Sequence, residues 1–355
     1  MVDQSRVVTL GEGGTRLVHA RSVGQELGMQ NLFLKDESRN PTCSFKDRKS
    51  TVAITKACEF GFEIVCAATA GNAGSSMAAY AAKAGLHAII FTYRNVTRPK
   101  LSKLLAYGAD VLIVDGASQE VLQLTSQACE KYGWYNVAAA SRYNPYVKDG
   151  AKTEAIEVCE QMKWRPPDWL IIPLGGGCGT ASCWKGVKEL YRIGLIDKLP
   201  KLIAVQGSES APVVKAFKEK TSPGKIERIP NAHTIAHSIE DDWAPDGDQA
   251  LIAIRESGGL AVAVTDDQIL MAQRLIGKKE GMYVEPASSS PVAAVRALLD
   301  EGTIDRTDTV VCIATGFGLN EPDAILSNIR EPPTIGPTIR DLEVELNKRK
   351  KSILS

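Results

Sequence analysis

Short runs that are largely apolar at consecutive positions constrain this chain most: Glu63-Ile64-Val65-Cys66-Ala67-Ala68, Ala88-Ile89-Ile90-Phe91, Val111-Leu112-Ile113-Val114 and Trp169-Leu170-Ile171-Ile172-Pro173. Each has the length of a strand, and a strand apolar on both faces suits a parallel sheet covered by helices on either side. Helical stretches fall between them, at 75–85, 118–132 and 153–164, and later strands are expected at 202–205, 260–264 and 309–313. The βαβα alternation predicts an α/β protein built on an open, doubly wound parallel sheet. With 355 residues the chain is long enough for two α/β lobes or one large domain.

Several function classes drop out on charge and cysteine usage. Lysine plus arginine (42) equals aspartate plus glutamate (42), and the single basic block is Lys348-Arg349-Lys350-Lys351, so there is no electrostatic footprint for nucleic acid. The eight cysteines lack the paired short spacings of a zinc site, and His19, His87, His233 and His237 form no metal or triad pattern; we expect no metal. No secretory signal and no run of about 20 apolar residues is present, so we expect a cytoplasmic protein with reduced thiols, no membrane association and a small-molecule partner.

Chemistry is concentrated at four places. Lys46 lies in Ser44-Phe45-Lys46-Asp47-Arg48, just after Asn40-Pro41-Thr42. A lysine in a short polar run is ordinarily a solvated charge, and the functional exception is a Schiff base with a carbonyl or with pyridoxal phosphate. Thr69-Ala70-Gly71-Asn72-Ala73-Gly74 follows one strand and precedes a helix, where backbone N–H groups can receive a carboxylate. Gly175-Gly176-Gly177-Cys178-Gly179-Thr180 follows another strand, and its N–H groups face an anion with no Cβ in the way. Taken alone, that loop is equally a tight turn or a nucleotide site. Thr315-Gly316-Phe317-Gly318 closes the last strand.

The order and wording of these elements resemble the pyridoxal-phosphate enzymes of the tryptophan-synthase-β-like fold (fold type II). Gly11-Glu12-Gly13-Gly14-Thr15, the stretch from Trp184-Lys185-Gly186 to Pro200, and Val284-Glu285-Pro286-Ala287-Ser288 are similar to the threonine synthases within it. The resemblance implies a two-lobed fold, with 55–150 as a smaller lobe inserted into a larger one made of 1–54 and 151–355. It implies a cofactor in the cleft between the lobes and a homodimer. Lys46 is then the Schiff-base and proton-transfer residue; Gly175, Gly176, Gly177, Cys178, Gly179 and Thr180 hold the cofactor phosphate. Asn72 bonds the cofactor's 3′ oxygen and Thr315 its pyridine nitrogen, while Thr69, Ala70, Gly71 and Ala73 hold the substrate's α-carboxylate. The implied reaction turns O-phosphohomoserine and water into L-threonine and phosphate.

Three passages depart from that pattern. Val147 stands where family members carry an arginine after an Asn-Pro pair, so Arg142, Lys148 and Lys152 become the candidates for gripping a substrate phosphate. Gly318-Leu319-Asn320-Glu321 and His237-Ser238-Ile239-Glu240 also differ. These differences keep a second reading open, elimination, replacement or deamination on serine, phosphoserine or threonine. A non-catalytic protein that kept the fold is the third.

Overall fold

The structure, a computed structural model, describes residues 6–69, 71–94, 96–116, 118–326 and 331–353. Up to Pro322 the chain forms one compact unit, and Asp323–Ser355 is a second that carries the helix Ile339–Ile353.

Ten strands make two sheets: β1 (Leu17–His19), β2 (Asn31–Asp36), β3 (Ile64–Ala68), β4 (His87–Tyr93), β5 (Asp110–Val114), β6 (Tyr135–Asn136), β7 (Trp169–Pro173), β8 (Lys201–Gly207), β9 (Leu260–Val264) and β10 (Thr309–Ala314). One sheet runs β1-β2-β10-β7-β8-β9 and the other, drawn wholly from 64–136, runs β5-β4-β3-β6. All described pairings are parallel except β1 with β2, an antiparallel edge that the apolar-run pattern did not anticipate.

β7 shows why its run is continuously apolar. Trp169 and Ile171 face a core closed by the helix Pro286–Asp300, while Leu170 and Ile172 face a second core closed by the helices Thr153–Gln161 and Cys178–Arg192. Both faces are buried. The similar run at 111–114 behaves differently, because β5 is a sheet edge and leaves Leu112 and Ile113 48% and 57% exposed.

Helix ends depart from the sequence expectation where the backbone turns left-handed. The helix expected over 153–164 stops at Gln161, since Lys163 and Trp164 adopt φ of 56° and 61° ahead of Pro166-Pro167. The helix expected from Ser75 begins earlier, at Asn72.

Candidate active site

Parallel strands end on the same side of their sheet, and here the carboxyl ends of β3, β7 and β10 open on one cavity of about 830 Å³. Lys46, Thr69, Gly71, Asn72, Ala73, Thr315 and the whole run Gly175 to Thr180 line it. Ala70 lies outside the described residues.

Every residue of the lysine motif has work that places Lys46. Ser44 pairs with Gly316 in an isolated antiparallel bridge, and Phe45 N–H donates to Thr315 O at 2.9 Å, which ties the motif to the end of β10. The buried Asp47 carboxylate accepts from Thr42 N (2.7 Å), Thr42 Oγ1 (2.5 Å) and Ser76 Oγ (2.5 Å). Arg48, also buried, grips Glu37 and Glu157, each at 2.7 Å. The helix Asp47–Glu59 is thereby pinned at its first turn, and Lys46, half-buried, is left with its amine on the cavity wall, 4.5 Å from the Phe45 ring centroid.

The glycine loop precedes a 15-residue helix, Cys178–Arg192, whose first N–H groups have no intrahelical partners. Gly177 has φ of +91°, and a Cβ there would sit 2.7 Å from Asp246 O; one on Gly175 would sit 2.6 Å from Asp241 Oδ2. At Gly177 the left-handed φ and the backbone clash together require glycine, while a side chain at Gly175 would displace the Asp241 carboxylate. Thr180 Oγ1 is buried with no hydrogen-bond partner among the described residues, a hydroxyl left for a ligand at the head of that helix. An amine, an N-terminal anion cradle and an unpartnered hydroxyl on one cavity fit pyridoxal phosphate.

Asn72 is buried and donates from Nδ2 to Glu285 Oε1 at 2.7 Å. Thr315 is buried with its hydroxyl 3.1 Å from Ser288 Oγ. Arg142, Lys148 and Lys152, by contrast, are not among the cavity's lining residues. Arg142 is exposed on the Trp243 ring at 5.1 Å, Lys148 donates to Gln249, and Lys152 is held by Asp149 (3.0 Å) and Glu189 (2.7 Å). Closeness in sequence to Asn144-Pro145 did not bring these cations to the site, because the short helix Val147–Ala151 buries Val147 and turns Lys148 and Lys152 elsewhere.

Among the lining residues that sequence reasoning did not place in the site are Lys49, Asp241 and Glu285. Glu285 lies inside the family-like stretch 284–288, and its place just before Pro286 at a helix start was the available signal. Burial, and then repulsion from Lys49, bring the Lys46 amine down to about 7, with Cys178, Asp241 and Glu285 pulling the other way. Burial pushes Asp241 up to about 6 against the pull of Lys46. Burial and the neighbouring Glu321 push Glu285 up to about 7, moderated by Lys100 and by the Asn72 amide. Groups that ionise near neutrality are the ones able both to take and to return a proton there.

Comparison with known proteins agrees with this geometry. Residues 8–316 match the family described as pyridoxal-phosphate dependent enzyme. The chain is similar to the threonine synthase of Methanocaldococcus jannaschii, 41% identical over 93% of this chain and 80% of that one. It is also similar to the threonine synthase of Methanosarcina acetivorans, 37% identical over 94% and 81%. Among solved structures, maize serine racemase superposes with a TM-score of 0.74 at 20% identity, covering 88% of this chain and 91% of that one. The processed form of threonine deaminase isoform 2 from Solanum lycopersicum gives 0.71 at 21%, covering 85% and 83%. At such identities these two speak for the fold alone, that of the fold type II enzymes.

Proposed function

Because the chain belongs to the family of pyridoxal-phosphate dependent enzymes and matches threonine synthases over most of its length, we propose that it is a threonine synthase-like lyase. It converts O-phosphohomoserine and water into L-threonine and phosphate. The observation that carries the chemistry is the amine of Lys46, set on the wall of a cavity that also receives the heads of two helices, Asn72–Ala84 and Cys178–Arg192.

Lys46 would hold the cofactor's aldehyde carbon, and the glycine loop with Thr180 its phosphate. When bound, pyridoxal phosphate supplies an electron sink for the carbon next to the substrate's amine. Thr315 would take the pyridine nitrogen with a neutral hydroxyl, and Asn72 the ring's 3′ oxygen.

This chain's own residues then handle binding and protons. The N–H groups at Gly71 to Ala73 receive the substrate's α-carboxylate, which fixes Cα beside Lys46. With the substrate seated, the Lys46 amine would move a proton from Cα and then one from Cβ. Phosphate leaves from Cγ, one proton is returned to Cγ and one to Cα, and water adds its hydroxyl at Cβ while its remaining proton goes to the released phosphate. An amine that ionises near 7 suits both directions of transfer, a contribution typically worth about 10²- to 10⁴-fold.

Eight free cysteines fit a reducing compartment, and we take the enzyme as cytoplasmic. No described helix is long and apolar enough to cross a membrane. A homodimer is the assembly that the family likeness implies.

The holoenzyme should release phosphate from phosphohomoserine and form threonine in equal amount. If it releases none, yet yields ammonia from serine or threonine, the reading gives way to a deaminase of the same fold.

A further inference from the structure

The lysines and arginines that line the cavity are Lys46, Lys49, Arg94, Lys100 and Arg228. Arg94 is paired with Asp115 (2.7 Å), Lys100 with Glu321 (2.7 Å), and Arg228 with Asp242. Lys46 is the amine already described. Lys49 is different from all of these: its side chain is buried, with the residue 3% exposed, and no carboxylate of the described residues lies within ion-pair distance. Its Nζ donates only to Ala139 O, at 3.3 Å, among the described residues.

A buried ammonium with one long hydrogen bond and no counter-ion is costly in the cavity as it stands. It is offset when an anion enters. We propose that Lys49 is the specificity residue for the anionic leaving group, the phosphate ester of the substrate, an inference that rests on the phosphohomoserine reading above.

The count of anions and receptors supports this choice. A phosphohomoserine in this cavity brings three anionic groups together: the cofactor's phosphate, the substrate's α-carboxylate and the substrate's phosphate. The glycine loop heads the helix Cys178–Arg192 and takes the first; Gly71 to Ala73 head the helix Asn72–Ala84 and take the second. Lys49, from the helix Asp47–Glu59, is the remaining free cation among the described lining residues.

Its location also explains Val147. The helices Asp47–Glu59 and Val147–Ala151 touch so closely that a Cβ on Gly150 would lie 1.7 Å from Arg48 O. Lys49 and Val147 border one small void with Ala73, Val137 and Ala139. The cation therefore reaches the site from the first helix, and its neighbour on the second is apolar.

The test compares the parent holoenzyme with Lys49→Gln and Lys49→Arg, using the phosphonate analogue of phosphohomoserine, whose C–P bond cannot be eliminated, as the calorimetric probe. Removing one charge-assisted contact should weaken the phosphonate by about 10- to 150-fold in Lys49→Gln. Lys49→Arg should recover most of that affinity. Pyridoxal phosphate and serine should bind each variant within about threefold of the parent, since neither presents a phosphate to Lys49 once the cofactor's own is in the glycine loop.

Equal phosphonate affinity in parent and Lys49→Gln overturns the assignment while leaving the lyase reading intact. A matching loss of serine affinity makes Lys49 a carboxylate contact instead, and a matching loss of pyridoxal phosphate makes it a cofactor contact; either overturns the assignment. If the parent itself neither binds the phosphonate nor releases phosphate from phosphohomoserine, the lyase reading fails first, and this one with it. A Lys49→Gln chain that does not fold is recognised by its lost far-ultraviolet circular dichroism and cooperative melt, and Lys49→Arg, which keeps the charge, then decides: loss of phosphonate binding in a folded Lys49→Arg counts against the assignment.

Discussion

At the scale of single residues, the site is a contest among charges brought out of water. Lys46 and Lys49 both lie near the Phe45 ring, at 4.5 Å and 5.4 Å from its centroid, and their mutual repulsion helps bring Lys46 down to about 7. The two amines have separate tasks under the proposed function, so a reagent should tell them apart. Borohydride reduction of the holoenzyme followed by peptide mapping should place the pyridoxyl label on Lys46; a label on Lys49 would reverse the assignment. Lys46→Ala should lower turnover by more than about 10³-fold, because tether and base are lost together. Retained turnover in that variant would mean that another group moves the protons. The lysine run was legible in the sequence as a candidate, but the roles of its neighbours were not. That Asp47 and Arg48 are consumed by Thr42, Ser76, Glu37 and Glu157 depends on partners up to 109 positions away.

At the scale of elements, the glycine loop shows how a backbone conformation becomes a binding site. Asp246 clamps it from outside: Asp246 N–H donates to Gly176 O at 2.8 Å, and the Asp246 carboxylate holds Ser141 through N–H (2.7 Å) and Oγ (2.6 Å). Gly177→Ala would combine a left-handed φ with a Cβ pressed on the Asp246 backbone. Strain of about 1–3 kcal/mol is expected. The variant should melt earlier and bind pyridoxal phosphate at least about tenfold more weakly, measured by fluorescence titration of the cofactor-free chain, with the choice of substrate unchanged. Cofactor affinity equal to the parent's would detach the loop from the phosphate. The strand ending at Pro173 and the glycines after it were readable from sequence because a continuous apolar run and a Cβ-free turn are local properties. The edge position of β5 was not, since a run apolar at 111–114 looks the same whether or not another strand covers it.

At the scale of the whole molecule, a buried ionic cluster joins the N-terminal segment, β2, the lysine helix and the helix Thr153–Gln161. Lys35 donates to Glu157 at 2.8 Å and to Thr15 O at 2.7 Å, while Arg48 spans Glu37 and Glu157. Beside them Glu154 is buried, and among the described residues its Oε1 has no partner and its Oε2 accepts only from Cys183 Sγ at 3.6 Å. Burial, and then Glu37, push its carboxyl up to about 8 from the ordinary 4.5. Between those two values the folded chain holds a proton that the unfolded chain has released, so this group's contribution to stability falls as pH rises through the window. Glu154→Gln should therefore match the parent near pH 4.5 and be more stable than it near pH 9, followed by thermal melts across that range. Melting curves that shift in parallel at every pH would refute the assignment. By itself the sequence determined what depends on neighbours along the chain: which runs become strands, where glycine frees a turn, and that Gly71 to Ala73, the 175–180 loop and Thr315 stand at strand ends or beside them. Only the tertiary structure decided which charges meet. Arg142, Lys148 and Lys152 are near an expected motif in sequence and are not among the residues that line the cavity, whereas Lys49, Asp241 and Glu285 come from three distant segments and line it. A side chain's direction, its burial and its counter-ion are set by packing between elements, and none of these is a property of the residues beside it in the chain.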